Sequence, residues 1–305
     1  MCMTIRRIGG VPFPASRVAG MLAAGLFFAC PAQAGDTMTW LMPDFPPIGI
    51  PVHGQPTDGM ADQLVKYIVA RWPEASHRFL YANPNRVWSM LASGEQVCFT
   101  GALRTPERER FAYFRNTYLL PPPQLIIRPE IQAAIPLNAR GEAEPAPLMN
   151  NPALHGLVIE KRAYGPAVDA LLAQPAASSH IKRLAASNYG KTIFTMMTMQ
   201  RGDYTIDYDF VLAHAAATDA QLARLKAIPL AGADELVVGG IACPRTAWGR
   251  STVQKIDALL ASREGSAALL QAQARWISKE SALRYEEPMR EFFRRLETPQ
   301  QYDHP

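Results

Sequence analysis

The sequence predicts an α/β fold of two lobes with a cleft between them, each lobe a mostly parallel sheet flanked by helices. Strand and helix patterns alternate with short connections over residues 36–102, and a second series begins at Gly156. Between the two series, a triple proline at residues 121–123 interrupts regular structure. Because parallel strands need crossover connections, each series favours a parallel sheet with helices on both faces. Two such series joined by a linker indicate two lobes.

The first series has the order β-α-β-α-β. Its strands are predicted at residues 38–42, 77–81 and 97–102, and its helices at residues 61–71 and 85–93. Apolar residues recur at helical spacing in the first helix, and a glycine directly follows the second. Sheets of this kind bind ligands beyond the carboxyl ends of their strands.

Four side chains are predicted to lie at that edge of the first sheet, and one of them is Arg108, which follows the third strand. Asp44 and Phe45 belong to a proline-rich loop that follows the first strand, and Arg86 lies near the start of the second helix. A loop with prolines at positions 43, 46 and 47 cannot continue a regular strand or helix. We therefore expect it to face the cleft.

The second series supplies the other wall of the cleft. A strand at residues 157–160 is followed by a turn that contains Arg162, Tyr164 and Gly165, and Pro166 starts a helix. A proline at the first helical position after a glycine leaves backbone N–H groups exposed, which suits an anion. Further elements are predicted at residues 193–200 (helix), 204–208 (strand), 236–243 (strand), 252–261 (helix) and 267–276 (helix).

The chain is predicted to cross between the lobes twice. The first crossing is a linker at residues 118–123, and the chain passes back near Gly239. The predicted domains are residues 35–118 (first lobe), 119–239 (second lobe) and 240–305 (first lobe again, with C-terminal helices).

Residues 1–34 are predicted to be a secretory signal peptide. Three arginines precede an apolar run at residues 18–29, and Ala32-Gln33-Ala34 has the small-x-small pattern that signal peptidase cuts after. The apolar run is too short to span a bilayer. We therefore expect a periplasmic protein that starts after Ala34. The alternative is lipoprotein-type cleavage before Cys30.

Composition excludes several classes of function. The formal net charge is +4, and removal of three arginines with residues 1–34 gives 4 − 3 = +1. No stripe of basic residues remains, so we expect no nucleic-acid partner. The histidines are scattered without helical pairs, and nucleotide-binding and hydrolase motifs are missing from the sequence. We therefore expect no metal and no cofactor.

The most informative segment is residues 97–114. An apolar strand reaches Gly101, and a helix is predicted to start with Thr105 as N-cap and Pro106 at the first helical position. Arg108 lies in the first turn, where the helix dipole disfavours a cation by about 0.3–1 kcal/mol. This helix start predicts a site for an anion, formed by the exposed N–H groups, the Thr105 hydroxyl and the Arg108 guanidinium. If the anion is a carboxylate, the guanidinium can bind it bidentately.

This segment resembles a sequence block of bacterial periplasmic solute-binding proteins. Gly101, the T-P-E-R at residues 105–108 and Phe114 match the block G-x-x-x-T-x-E-R-x-x-x-x-x-F. The similarity is to the amino-acid-binding type that serves ABC transporters. It implies the periplasmic-binding-protein type 2 fold, with Arg108 holding the α-carboxylate of a ligand and the Gly101 backbone contacting it. Leu103 departs from the threonine or serine common in that type.

The resemblance implies second-lobe contacts as well. The turn at residues 162–165 lies where such proteins have an anion-binding turn, although its residues differ. The stretch at residues 201–203 is similar to a G-R-x-D motif that precedes a ligand-facing acid, which implies that the acid lies near Asp207, Tyr208 or Asp209. The aromatic residues Phe45, Trp88, Tyr164 and Tyr208 either contact the ligand or pack in the core.

Two cysteines, Cys98 and Cys243, remain after the signal peptide, and both lie in apolar strand segments. In the resembled fold the corresponding strands are neighbours, which implies a disulfide in an oxidising compartment. The alternative is a pair of buried thiols.

The leading hypothesis is a non-catalytic, monomeric receptor. It captures a small polar, amino-acid-like ligand with a carboxylate and delivers it to a membrane transporter or a sensor. A second hypothesis is a dehydratase-like enzyme on the same scaffold, for which Asp44 and Asp207 are the candidate acids. A third is an accessory protein that docks on a partner whether or not a ligand is bound.

Overall fold

A computed structural model of the protein describes residues 37–175, 179–185 and 189–302. The predicted signal peptide, its cleavage point after Ala34 and the alternative lipid attachment at Cys30 lie outside these residues. The described strands are β1 (Thr37–Met42), β2 (Pro51–Val52), β3 (Gln55–Pro56), β4 (Ser76–Tyr81), β5 (Val97–Leu103), β6 (Ala112–Leu120), β7 (Gln124–Ile127), β8 (Gly156–Ile159), β9 (Ile181–Leu184), β10 (Tyr204–Asp207), β11 (Lys226–Ile228) and β12 (Val237–Pro244).

The helices largely follow the predicted pattern, and the helix predicted to start at Pro166 runs to Leu172. None of the helices in the described part of the chain is long and apolar enough to cross a membrane. The helices are α1 (Met60–Val69), α2 (Pro84–Ala92), α3 (Pro106–Glu109), α4 (Pro145–Met149), α5 (Pro166–Leu172), α6 (Tyr189–Thr198), α7 (Asp209–Thr218), α8 (Ala247–Leu260), α9 (Arg263–Ala274), α10 (Lys279–Arg284) and α11 (Glu286–Arg295).

The first sheet has the strand order β4-β1-β5-β12-β6. β1 pairs in parallel with β4 and β5, whereas β12 runs antiparallel to both of its neighbours, β5 and β6. All strands of this sheet except β12 therefore point the same way. Helices α1, α8 and α9 cover it, and the core between them contains Trp40, Val65 and Ile256, each fully buried.

The second sheet has the order β11-β7-β10-β8-β9 and repeats this arrangement. β8 pairs in parallel with β9 and β10, and β7 runs antiparallel to β10 and β11. Its core includes Ile127, Val158 and Tyr204, all buried. The predicted fold class, two mostly parallel sheets flanked by helices, is confirmed.

The prediction of a linker at residues 118–123 is wrong in its first half. β6 continues to Leu120, and Tyr118 pairs with Gly239 of β12. β6 is an edge strand that needs hydrogen bonds on one side only, so the chain stays in the sheet until the prolines begin. The change of sheet falls at residues 121–123 and again at residues 229–236. The lobe boundaries at 118 and 239 stay a prediction.

A disulfide joins Cys98 of β5 to Cys243 of β12, so the pairing implied by the resemblance is present. The strands are antiparallel neighbours, with Ala242 opposite Phe99, which brings the two Cα atoms to 4.3 Å. The covalent bond holds the reversed strand against β5, the strand that leads to Arg108.

Candidate functional site

The cleft opens at the carboxyl ends of the parallel strands of the first sheet. The loop after β1 contributes Phe45, the middle of α2 contributes Trp88, and the end of β5 contributes Gly101 and Leu103. This is the edge at which α/β sheets bind ligands, as the sequence predicts. A Cβ atom at position 101 would come within 2.9 Å of the Phe99 ring, so a larger residue there would have to displace that ring.

The opposite wall of the cleft is formed by residues at the carboxyl ends of the parallel strands of the second sheet. Lys161 and Arg162 follow β8 after one intervening residue, and Tyr208 follows β10, its parallel neighbour. Lys161 has a φ of 62°, in the left-handed region that a lysine rarely adopts. This turn brings its backbone carbonyl towards the first lobe.

A cavity of about 40 Å³ lies between the two walls. That volume holds roughly three water molecules. The cleft is therefore narrow in this conformation. The lining residues are Pro43, Phe45, Ile48, Pro84, Trp88, Phe99, Gly101, Leu103, Arg108, Tyr118, Lys161, Arg162, Ala163 and Tyr208.

Arg108 connects the two walls. Its Nη1 donates to the Leu103 carbonyl oxygen at 2.9 Å in the first lobe, and its Nη2 donates to the Lys161 carbonyl oxygen at 2.9 Å in the second. The guanidinium lies 4.0 Å from the centre of the Trp88 ring, a cation–π contact. Only 9% of the residue is exposed. A buried cation thus faces the cleft at the end of β5.

Helix α3 positions this arginine. It is only four residues long, and Thr105 caps it as predicted, its hydroxyl oxygen accepting from the Arg108 N–H at 3.3 Å. The stability of so short a helix depends more on its N-cap than on hydrogen bonds between successive turns, because it has only about one turn.

We expect Thr105→Ala to lower the free energy of unfolding by about 1 kcal/mol, because it removes this acceptor. Chemical denaturation measures the change. Thr105→Ser keeps the hydroxyl and serves as the matched control. Equal losses in both variants would mean that the cap does not hold the turn.

Arg162 and Asp207 form an ion pair within the second lobe. The guanidinium contacts the carboxylate at 2.7 and 3.0 Å in a bidentate arrangement, and the two side chains are 8% and 1% exposed. The ring centres of Phe45, Tyr164 and Tyr208 lie 4.7, 5.0 and 5.7 Å from the Arg162 guanidinium carbon. Aromatic faces from both lobes therefore surround a neutralised charge.

The structure brings together Phe45, Gly101, Arg108, Arg162 and Tyr208 on the cavity wall. Asp207 lies behind Arg162. The other predicted residues do not line the cavity.

Each of those residues has a different setting. Arg86 is exposed on α2, and Thr105 and Gly165 serve as N-caps. Tyr164 is buried, its hydroxyl oxygen accepts from the Ile159 N–H, and burial raises the pKa of Tyr164 to about 12. Asp44 is half-buried, and burial raises its pKa.

Sequence reasoning missed several lining residues, among them Phe99, Tyr118 and Lys161. One signal was available for Phe99, because residues two apart on a strand share a face, and Phe99, Gly101 and Leu103 alternate along β5. The placement of Lys161 depends on its positive φ, and a lysine in a sequence does not indicate that its backbone adopts this conformation. Across the described ranges, no group of three His, Cys, Asp or Glu side chains is placed to hold a metal ion.

Solved structures with a similar fold include binding proteins and a sensor domain. A histidine kinase sensor domain with similarity to periplasmic binding proteins superposes with a TM-score of 0.62 at 14% identity, covering 80% of this chain and 97% of that one. An ancestral arginine-binding protein bound to arginine gives a TM-score of 0.61 at 16% identity, with 80% and 99% covered. The chain has the two-lobed periplasmic-binding-protein fold.

A third structure with this fold is the arginine-, lysine- and histidine-binding protein ArtJ from Geobacillus stearothermophilus. It has a TM-score of 0.61 and 14% identity, with 82% of this chain and all of ArtJ covered. No family model and no curated protein matches the sequence. The fold implied by residues 101–114 is nevertheless confirmed.

Proposed function

We propose that this protein is a non-catalytic periplasmic receptor that captures a small carboxylate-bearing solute in the cleft between its lobes. The observation that carries this proposal is the position of Arg108, a nearly buried cation that spans the cleft at the end of β5. An arginine can donate two parallel hydrogen bonds to the two oxygens of a carboxylate. A single carbonyl oxygen cannot accept both bonds in this way. Structures of the same fold that bind amino acids support a small ligand.

Binding requires the lobes to separate first. The cavity of about 40 Å³ is far smaller than the roughly 300 Å³ or more of ordinary small-molecule sites. The segments at residues 121–123 and 229–236 are the hinges, because the chain changes sheets there. In the open form the ligand carboxylate replaces the Lys161 carbonyl on Arg108. Closure then places Arg162, Phe45 and Tyr208 around the rest of the ligand.

Several further features belong to this proposal. The lobes comprise residues 35–118 with 240–305, and residues 119–239. The protein is a monomer that is exported by the segment 1–34, and it hands its ligand to a membrane transporter or reports it to a sensor. Similarity to a sensor domain and to binding proteins supports both destinations.

Calorimetric titration of amino acids and small carboxylates into the wild-type protein and into Arg108→Gln tests this function. We expect a ligand that loses at least about 2 kcal/mol of binding free energy in the variant, roughly 30-fold in affinity, because a buried charge-assisted partner is lost. Arg110→Gln removes an exposed arginine of the same segment and should bind like the wild type. Unchanged affinity in Arg108→Gln would refute the assignment.

A further inference from the structure

The indole ring of Trp88 lies against the Arg108 guanidinium. The guanidinium carbon is 4.0 Å from the centre of the ring, within the range of a cation–π contact. Both residues line the cavity, and both belong to segments between β4 and β6 of the first sheet. We propose that Trp88 is a positioning residue that holds Arg108 in place for a ligand carboxylate, an inference that rests on the proposed function above.

The Trp88 ring is itself held by two other aromatic side chains. Its centre lies 5.8 Å from the centre of the Phe99 ring and 6.1 Å from that of Phe111, and both contacts are edge-to-face. The neighbouring Val87 and Leu91 are buried and anchor α2 in the core of the first lobe. Rings in such arrangements have a preferred tilt and separation. Trp88 therefore offers Arg108 a surface of fixed position.

The ring contact and the hydrogen bonds of Arg108 use different parts of the guanidinium. Its N–H groups lie in its plane, and aromatic rings stack on its faces. Nη1 and Nη2 donate to the carbonyl oxygens of Leu103 and Lys161, both at 2.9 Å. A carboxylate that replaces the Lys161 carbonyl therefore leaves the contact with Trp88 in place.

The contacts of Arg108 respond differently when the lobes separate. Trp88 and the Leu103 carbonyl lie in the same lobe as Arg108 and stay with it. The Lys161 carbonyl and the Asp169 carboxylate, with which the charge of Arg108 interacts, belong to the second lobe and move away. In the open form, Trp88 is thus one of the groups that orient Arg108. An arginine that is already ordered loses less conformational entropy when a ligand binds, which increases affinity.

Nuclear magnetic resonance of arginine-labelled protein tests the position of Arg108 without a ligand. The Nε–H signal of Arg108 is identified by its loss in Arg108→Gln, and its rate of exchange with water reports how firmly the side chain is held. We expect exchange to be at least about tenfold faster in Trp88→Leu, because water reaches the group in the open form, where Trp88 holds it. Trp88→Phe keeps an aromatic face and should stay within about threefold of the wild type.

A second arginine separates this role from a general effect on the fold. Arg115 pairs with Asp257 at 2.6 Å, and both side chains are buried in the first lobe. Its Nε–H should exchange at the wild-type rate in Trp88→Leu. If Arg115 also exchanges faster there, the comparison is made with Trp88→Met, since methionine fills irregular space without an aromatic face.

Acetate is the probe for the carboxylate, because it offers Trp88 only a methyl group. Titration with sodium acetate, against sodium chloride at equal ionic strength, should move the Arg108 signal. We expect a dissociation constant about tenfold higher in Trp88→Leu than in the wild type and in Trp88→Phe. Unchanged exchange or unchanged acetate affinity in Trp88→Leu would overturn this inference and leave the receptor function standing. If neither acetate nor any compound of the wider carboxylate panel binds to the folded protein, the receptor function itself fails, and the inference with it.

Discussion

Replacement of Asp207 by alanine is expected to lower the free energy of unfolding by about 3–5 kcal/mol. Asp207 is 1% exposed and supplies the bidentate partner of Arg162, whose side chain is 8% exposed. Without it, the Arg162 guanidinium stays buried among aromatic rings and loses its bidentate carboxylate partner. The desolvation of a buried charge that has lost this partner is the main cost, and the lost attraction between the two groups adds to it.

A double-mutant cycle distinguishes this cause from simple loss of packing. Removal of both groups in Arg162→Leu/Asp207→Ala should restore much of the stability that Asp207→Ala loses, because the buried guanidinium is then removed as well. Guanidinium denaturation of the wild type, both single variants and the double variant gives the coupling energy. If the double variant loses the sum of the two single losses, the pair is not coupled and the prediction fails.

An exposed ion pair serves as the control for the buried pair of Arg162 and Asp207. Arg295 and Glu291 pair on α11 with 73% and 37% of their side chains exposed. Surface pairs of this kind contribute little because water screens them. Glu291→Ala should therefore leave the unfolding midpoint almost unchanged, while Asp207→Ala shifts it strongly.

The sequence predicted the parts of the site that depend on local structure. A threonine before a proline predicts the cap that orients Arg108, and strand ends predict the edge where Phe45 and Gly101 lie. These features need only propensities and the rule for parallel sheets. The fold class follows from the same alternation of strands and helices.

The pairing of Arg162 with Asp207 could not be predicted in this way. The two residues lie 45 positions apart. Arg162 follows β8 and Asp207 ends β10, so their contact depends on the parallel register of the two strands. A register shift by one residue would turn Asp207 to the other face of its strand. The sequence predicts Arg162 in an anion-binding turn and Asp207 as a candidate ligand-facing acid, whereas in the structure the two side chains bind each other.

Loss of the Cys98–Cys243 disulfide is expected to lower the free energy of unfolding by about 2–5 kcal/mol. The bond closes a loop with a sequence separation of 145 residues, and the chain-entropy model predicts the larger figures for long loops. Within that loop lie β6, the whole second sheet and both changes of sheet. The bond therefore restricts the unfolded chain over about half of its length.

Thermal unfolding of the wild type with and without a reducing agent, beside Cys98→Ala/Cys243→Ala, measures this contribution. Reductant should lower the midpoint of the wild type by several degrees and leave the double variant unaffected, because no thiol remains after residue 34 in the variant. The paired strands β5 and β12 keep their hydrogen bonds, so we expect the reduced protein to remain folded at 25 °C. A midpoint insensitive to reductant, with two thiols titrated in the denatured wild type before reduction, would show that the bond does not form in solution.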